Sequence, residues 1–93
     1  MESINQVYIL THSIASKNNN FLSVPMTTRA FSTLERAQEE IEFWADVRNL
    51  NLDSVHNYGE SETSINQEHR YSKDTDEGRK YHTYEIVSLS IVK

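Results

Sequence analysis

The segment AFSTLERAQEEIEFWADVRNLN, residues 30–51, has the strongest helical periodicity in the chain and decides the predicted fold. Ser32 is a favourable N-cap residue, and Glu35 follows it at the spacing of a capping box. Strong helix formers continue without glycine or proline to Asn49, which with Asn51 is a candidate helix end. One apolar stripe runs along this helix and predicts packing against a sheet. The stripe contains Leu34, Ala37, Ile41, Trp44 and Ala45.

The same helix carries a row of like charges, called here the acidic ridge. Its members are Glu35, Glu39, Glu42 and Asp46, whose spacing places them in one line along the helix. Carboxylates this close repel one another, so the row does not favour the helix itself. Phe43 and Leu50 lie off the apolar stripe. Together these features indicate a protein-binding surface, unless the segment after the helix folds back over the two apolar side chains.

Extended segments flank the helix on both sides. Residues 6–12 and 21–28 predict a first hairpin, in which Pro25 indicates an edge strand or a β-bulge because proline donates no ladder hydrogen bond. Residues 65–74 and 79–92 predict a second hairpin. The order strand, strand, helix, strand, strand predicts an α+β domain with a single helix packed on a four-stranded, mostly antiparallel sheet.

Three local features complete this prediction. Gly78 after Asp76 and Glu77 suits a tight turn that requires positive φ. The apolar pattern changes face near residues 86–87, which predicts a bulge or a strand buried on both sides. Residues 52–64, LDSVHNYGESETS, show no clear pattern and are expected to be a long loop or an unrecognised element.

Composition limits the function classes. The 93 residues suffice for a single domain, and the formal net charge of −5 with a pI near 5.2 disfavours direct nucleic-acid binding. A basic protein surface is a better match. The chain has no cysteine and no apolar run long enough to span a membrane, and its polar start does not resemble a signal peptide. We expect a cytoplasmic protein, or one in the host cytoplasm if it is viral.

The sequence contains no recognisable catalytic set. His12, His56, His69 and His82 lack metal-ligand spacing and are expected at surfaces or strand edges, with His82 opposite Tyr71 or Lys73 in the second hairpin. Ser13 follows His12 but has no nucleophile elbow or third partner. Phosphate loops need more glycine than the two present. We therefore predict a non-enzymatic protein with no catalytic residue, no metal site and no cofactor.

Three segments resemble small uncharacterised bacterial and phage domains. VYILTHS at residues 7–13 is similar to their YVLxHS first strand, FSTLERAQEEI at 31–41 to their FSSxExAxxAI helix start, and YEI at 84–86 to their closing YxI strand. This resemblance implies an α+β domain. In size and acidity the chain is also similar to phage inhibitors of host defence, including anti-CRISPR proteins. That similarity implies an inhibitor that occupies a basic surface of a host protein.

The leading hypothesis is a small acidic binding module that occludes a basic, nucleic-acid-binding surface of another protein. Its predicted contact residues are Glu35, Glu39, Glu42, Phe43, Asp46, Asp74, Asp76 and Glu77. The alternative is a homo-oligomeric ligand-binding or structural domain, such as a homodimer, that pairs through an open sheet face. The residues expected on that face are Tyr8, Leu10, Tyr84 and Ile86. A small enzyme would need residues 52–64 to supply its site.

Overall fold

The structure, a computed structural model, describes residues 4–16, 24–59 and 64–92. Its elements are β1 (Ile4–Ser16), β2 (Val24–Phe31), α1 (Leu34–Val47), β3 (Asn51–Asn57), β4 (Asn66–Thr75) and β5 (Gly78–Val92). The strands form one antiparallel sheet in the order β2-β1-β5-β4-β3, and α1 packs on one face. The α+β class is confirmed, but the sheet has five strands rather than four. No helix in the described ranges is long and apolar enough to cross a membrane.

The fifth strand is β3, which lies within the segment expected to be a loop. It pairs with β4 at the edge of the sheet, with Leu52 opposite Tyr71 and Val55 opposite His69. A register shift between Leu52 and Ser54 places an extra residue between these apolar side chains. Because a strand alternates faces with period two, this bulge hides the alternation from a sequence pattern. The rest of that segment includes residues 60–63, which lie outside the described ranges.

The helix begins one residue later than predicted. Thr33, not Ser32, is the N-cap: its backbone is extended and its Oγ1 accepts a hydrogen bond from the Arg36 amide at 3.2 Å. The predicted capping box between Ser32 and Glu35 is therefore wrong, although Glu35 still lies in the first turn near the positive helix end.

The helix ends as the asparagine at position 49 indicated. Asn49 has a φ of 54°, the left-handed conformation that asparagine tolerates. The amide of Leu50 donates to the Ala45 carbonyl at 2.8 Å, and that of Asn49 to Asp46 at 3.1 Å. These two bonds form a Schellman motif. The motif turns Leu50 back against the core and leaves Arg48 as the C-cap residue.

The core lies between α1 and the central strands. The helix contributes Ala37, Ile41 and Ala45 as buried residues, which confirms most of the predicted stripe, while Leu34 and Trp44 are half-buried at its ends. The sheet contributes Leu10, Tyr71, Tyr84 and Ile86.

Three of the four residues expected on the open sheet face are therefore buried beneath the helix instead. Tyr8 is half-buried and packs against the same core. In β1 and β5 side chains alternate between faces, so Val7, Ile9, Val87 and Leu89 lie on the opposite face. The β1–β5 register is continuous through residues 86–87, so no bulge occurs there; β5 is a central strand with apolar residues on both faces.

Both predicted hairpins are present. Pro25 lies on the edge strand β2, where the register shifts opposite His12 and Ser13, so the edge and bulge predictions are both met. The second hairpin turns at Asp76 and Glu77, and Gly78 has the expected positive φ of 114°.

Candidate functional site

The acidic ridge lies on the solvent side of α1. Glu35, Glu39, Glu42 and Asp46 are all exposed, as expected for carboxylates without buried partners. Glu39 pairs with Arg36 at 3.0 Å, but both side chains are 61% exposed, so this pair contributes little to stability. The ridge therefore presents negative charge to solvent without a clear role in holding the fold.

Exposed apolar side chains border the ridge on both sides. Phe43 is 56% exposed and shares a shallow pocket with Glu39 on the outer surface of the helix. On the other side, Leu52 and Val55 of β3 line a groove with Glu42. Both β3 side chains are at least half exposed. Leu50, in the segment after the helix, packs against the core, whereas Phe43 remains open to solvent.

The acidic turn between β4 and β5 is separate from the ridge. Asp74 accepts a hydrogen bond from Arg79 Nε at 2.8 Å, and this ion pair lowers the pKa of the Asp74 carboxyl. Lys73 reaches the Arg48 carbonyl on the helix side, so the alternation of β4 places Asp74 on the opposite sheet face. Asp76 and Glu77 are exposed at the turn itself. Thus these three residues do not extend the ridge.

A second polar group lies beneath the C-terminal end of α1. We call His12, His82, Tyr84 and Arg48 the histidine–arginine cluster. His12 Nε2 is 2.9 Å from His82 Nδ1, and Arg48 Nη1 is 3.2 Å from His12 Nδ1 and 3.1 Å from the Tyr84 hydroxyl. The His12 and Tyr84 rings stack with centroids 4.3 Å apart and planes 7° from parallel. Both histidines are buried, which corrects the expectation of surface or edge positions.

Arginine can only donate, so its contact with the His12 ring uses a ring nitrogen as the acceptor. Arg48 Nη1 is 3.2 Å from His12 Nδ1 and 3.4 Å from His12 Nε2, so either tautomer of His12 fits this contact. In each tautomer one proton forms the hydrogen bond between His12 Nε2 and His82 Nδ1. The Tyr84 hydroxyl oxygen accepts from Arg48, so its own proton is available to another acceptor.

The cluster is neutral except for its arginine. Burial, followed by the charge of Arg48, lowers the pKa of His12 and of His82 to about 4. Both imidazoles are therefore uncharged at pH 7. Burial also raises the pKa of Tyr84, against the opposing effect of Arg48. Within the described ranges no carboxylate forms an ion pair with Arg48, which is half-buried.

A cavity of about 150 Å³ opens beside this cluster. The Trp44 indole forms one part of its wall, donating a hydrogen bond to Glu40 at 2.9 Å. Glu40 also pairs with Arg29, and the Arg48 guanidinium lies 5.1 Å from the centre of the Trp44 ring. The complete lining is Leu10, His12, Thr27, Arg29, Glu40, Trp44, Arg48 and Tyr84.

Sequence reasoning missed this cluster, although one signal for it was present. His12 shares a strand face with Leu10, and His82 shares one with Tyr84, so period-two alternation places both histidines beneath the helix. The prediction that His82 lies opposite Tyr71 is confirmed. The position of Arg48 depends on the Schellman turn, for which Asn49 was the one signal in the sequence.

In the part of the chain that the structure describes, no three histidine, aspartate or glutamate side chains form a group able to hold a metal ion. Comparison of the chain with models of protein families, with curated proteins and with solved structures gave no match. Function must therefore be inferred from the ridge and the cluster themselves.

Proposed function

We propose that this protein is a non-enzymatic binding module whose acidic ridge docks on a basic, nucleic-acid-binding surface of another protein. The observation that carries the proposal is the exposure of all four ridge carboxylates between two exposed apolar borders. Phe43 forms one border, and Leu52 with Val55 forms the other. Charged residues steer and select a partner. Apolar side chains at the border supply contact area from which water is excluded on binding.

The proposed mechanism is occlusion. Helical geometry separates successive ridge carboxylates by about 4–6 Å along the axis, so the ridge is a line of negative charge. Such a line can occupy lysine and arginine side chains that otherwise contact nucleic-acid phosphates. An inhibitor of the phage type, acting in the host cytoplasm, would work in this way without chemistry of its own.

The test is a pull-down from bacterial lysate in low salt with three immobilised proteins. These are the wild type, Glu39→Gln/Glu42→Gln on the ridge, and Asp53→Asn/Glu85→Gln as a control that removes the same charge elsewhere. We expect the wild type and the control to capture a basic protein that the ridge variant does not capture. Added nucleic acid should compete for that protein, since both would occupy the same basic surface.

Two outcomes contradict the proposal. If the ridge and control variants lose the captured protein equally, net charge rather than the ridge determines binding. If nucleic acid does not compete, the partner is not held through a nucleic-acid-binding surface.

A second candidate, a homodimer through the open sheet face, is favoured by the residues found there. No described element covers this face, on which Val7, Ile9 and Val87 are half-buried and Leu89 is 53% exposed. Two such faces packed together would remove an apolar area from water. Light scattering at increasing concentration should then give twice the monomer mass, and Leu89→Lys should restore the monomer. A monomeric wild type at high concentration excludes this candidate.

A further inference from the structure

The cavity beside the histidine–arginine cluster has the size of a small organic ligand. Its volume of about 150 Å³ is close to that of an engineered protein cavity that binds benzene. Unlike that apolar cavity, it combines apolar walls from Leu10 and Trp44 with polar groups at Thr27, Arg48 and Tyr84. Ligand sites generally have this composition: apolar surface for contact area and a few polar groups that fix orientation.

The two arginines that line the cavity differ in their partners. Arg29 has a carboxylate counter-ion in Glu40. Arg48 contacts only neutral side-chain acceptors, His12 and Tyr84, and no carboxylate in the described ranges lies within ion-pair distance of it. A cation removed from water is costly unless an anion pairs with it. The cavity therefore has an unmatched positive charge in its wall.

The orientation of Arg48 is already fixed. Its Nη1 atom is held by His12 and Tyr84, and its guanidinium stacks on Trp44 at 5.1 Å from the ring centre. The Schellman turn fixes the backbone from which the side chain extends. An arginine that is held in one geometry loses little entropy when a ligand carboxylate binds it.

From this geometry we infer a second binding site, independent of the ridge, for a small organic carboxylate with a flat apolar body. The ligand carboxylate pairs with the remaining donors of Arg48, and the Tyr84 hydroxyl, which already accepts from Arg48, donates its proton to the same group. The flat body lies against Leu10 and Trp44. The two neutral histidines keep the arginine in place and add no charge of their own.

The test uses the intact protein and three probes of similar simplicity. Benzoate supplies both the carboxylate and the flat body, benzamide lacks the charge, and inorganic phosphate lacks the apolar body. Trp44 is the single tryptophan of the sequence, so its fluorescence reports directly on the cavity. We expect saturable binding of benzoate, with benzamide and phosphate each at least about tenfold weaker.

Two variants locate the binding. Arg48→Gln should abolish the benzoate response, whereas Arg36→Gln, which removes an exposed arginine from the same helix, should leave it unchanged. Two-dimensional NMR of the wild type should show benzoate-induced shifts confined to residues that line the cavity. The probe comparison and the NMR map need no variant, so they decide the question even if Arg48→Gln does not fold.

Three results overturn the inference. The first is the absence of saturable benzoate binding up to about 20 mM. The second is equal affinity for benzamide or for phosphate, which would remove the requirement for charge or for a flat body. The third is a set of shifted residues outside the cavity. None of these results bears on the ridge, whose partner is tested separately.

Discussion

The acidic ridge runs along the length of α1 and the histidine–arginine cluster lies beneath the C-terminal end of the same helix, but the two follow opposite physical rules. Asp46 ends the ridge in solvent, and two residues later Arg48 enters the cluster beneath the helix. The ridge has several like charges with one exposed ion pair, whereas the cluster has one charge and a connected set of buried hydrogen bonds. We infer that the cluster contributes to stability and that the ridge is free to bind.

The largest effect should follow from removing the central ring of the cluster. Tyr84 is 1% exposed and contacts His12, Tyr71 and Arg48. Tyr84→Ala should lower the free energy of unfolding by about 3–5 kcal/mol, because a large buried ring leaves a cavity. Tyr84→Phe should cost about 1–2 kcal/mol, since only the hydroxyl is lost. Urea unfolding measures both, and a cost below about 1 kcal/mol for Tyr84→Ala would show that the cluster does not hold the fold.

The second largest effect should come from acid, which should lower the free energy of unfolding by protonating the histidines of the cluster. His12 and His82 have a pKa of about 4 in the folded protein and an ordinary value of 6.5 when unfolded. Between these values the unfolded chain binds more protons, so stability is fully present above pH 6.5 and falls as the pH approaches 4. The shift corresponds to at most about 3–4 kcal/mol for each histidine. Urea unfolding at several pH values measures the decrease.

Two controls assign this decrease to the buried histidines. His56→Gln removes an exposed histidine and should leave the pH dependence intact. His12→Gln/His82→Gln, provided that it folds, should remove most of the dependence between pH 6.5 and 4. The remainder comes from His69, whose pKa is also lowered by burial. Asp74 also has a lowered pKa, but its ordinary value is 3.8, so its contribution is lost only at lower pH. If the free energy of unfolding did not change between pH 6.5 and 4, the two imidazoles would not be buried in their neutral form.

Substitutions on the ridge should change the free energy of unfolding much less. Glu39→Gln/Glu42→Gln removes like-charge repulsion and also the exposed pair between Glu39 and Arg36, so the two changes nearly cancel. We expect the free energy of unfolding to change by less than about 0.5 kcal/mol. A clear loss of stability in urea unfolding would show that these carboxylates are paired within the fold and would erase the contrast with the cluster.

The same contrast explains which parts of the molecule the sequence could predict. The ridge and the helix were predictable because residues three and four apart on one helix are neighbours, so their contacts follow from spacing alone. The histidine–arginine cluster joins β1, β5 and the helix C-terminus, and His12 and His82 are 70 residues apart. Such contacts depend on strand order, which no local pattern determines. Strand β3 was missed because its bulge disrupts the alternation that marks a strand.

The most direct measurement of the ridge proposal is the association rate of the captured partner with the wild type and with Glu39→Gln/Glu42→Gln, by stopped flow in low and high salt. If the ridge is the docking surface, the variant should associate about three- to tenfold more slowly in low salt. The difference should nearly vanish at about 0.5 M salt, where screening suppresses steering. Equal association rates for the two proteins at both salt concentrations would contradict the assignment of the ridge as the binding surface.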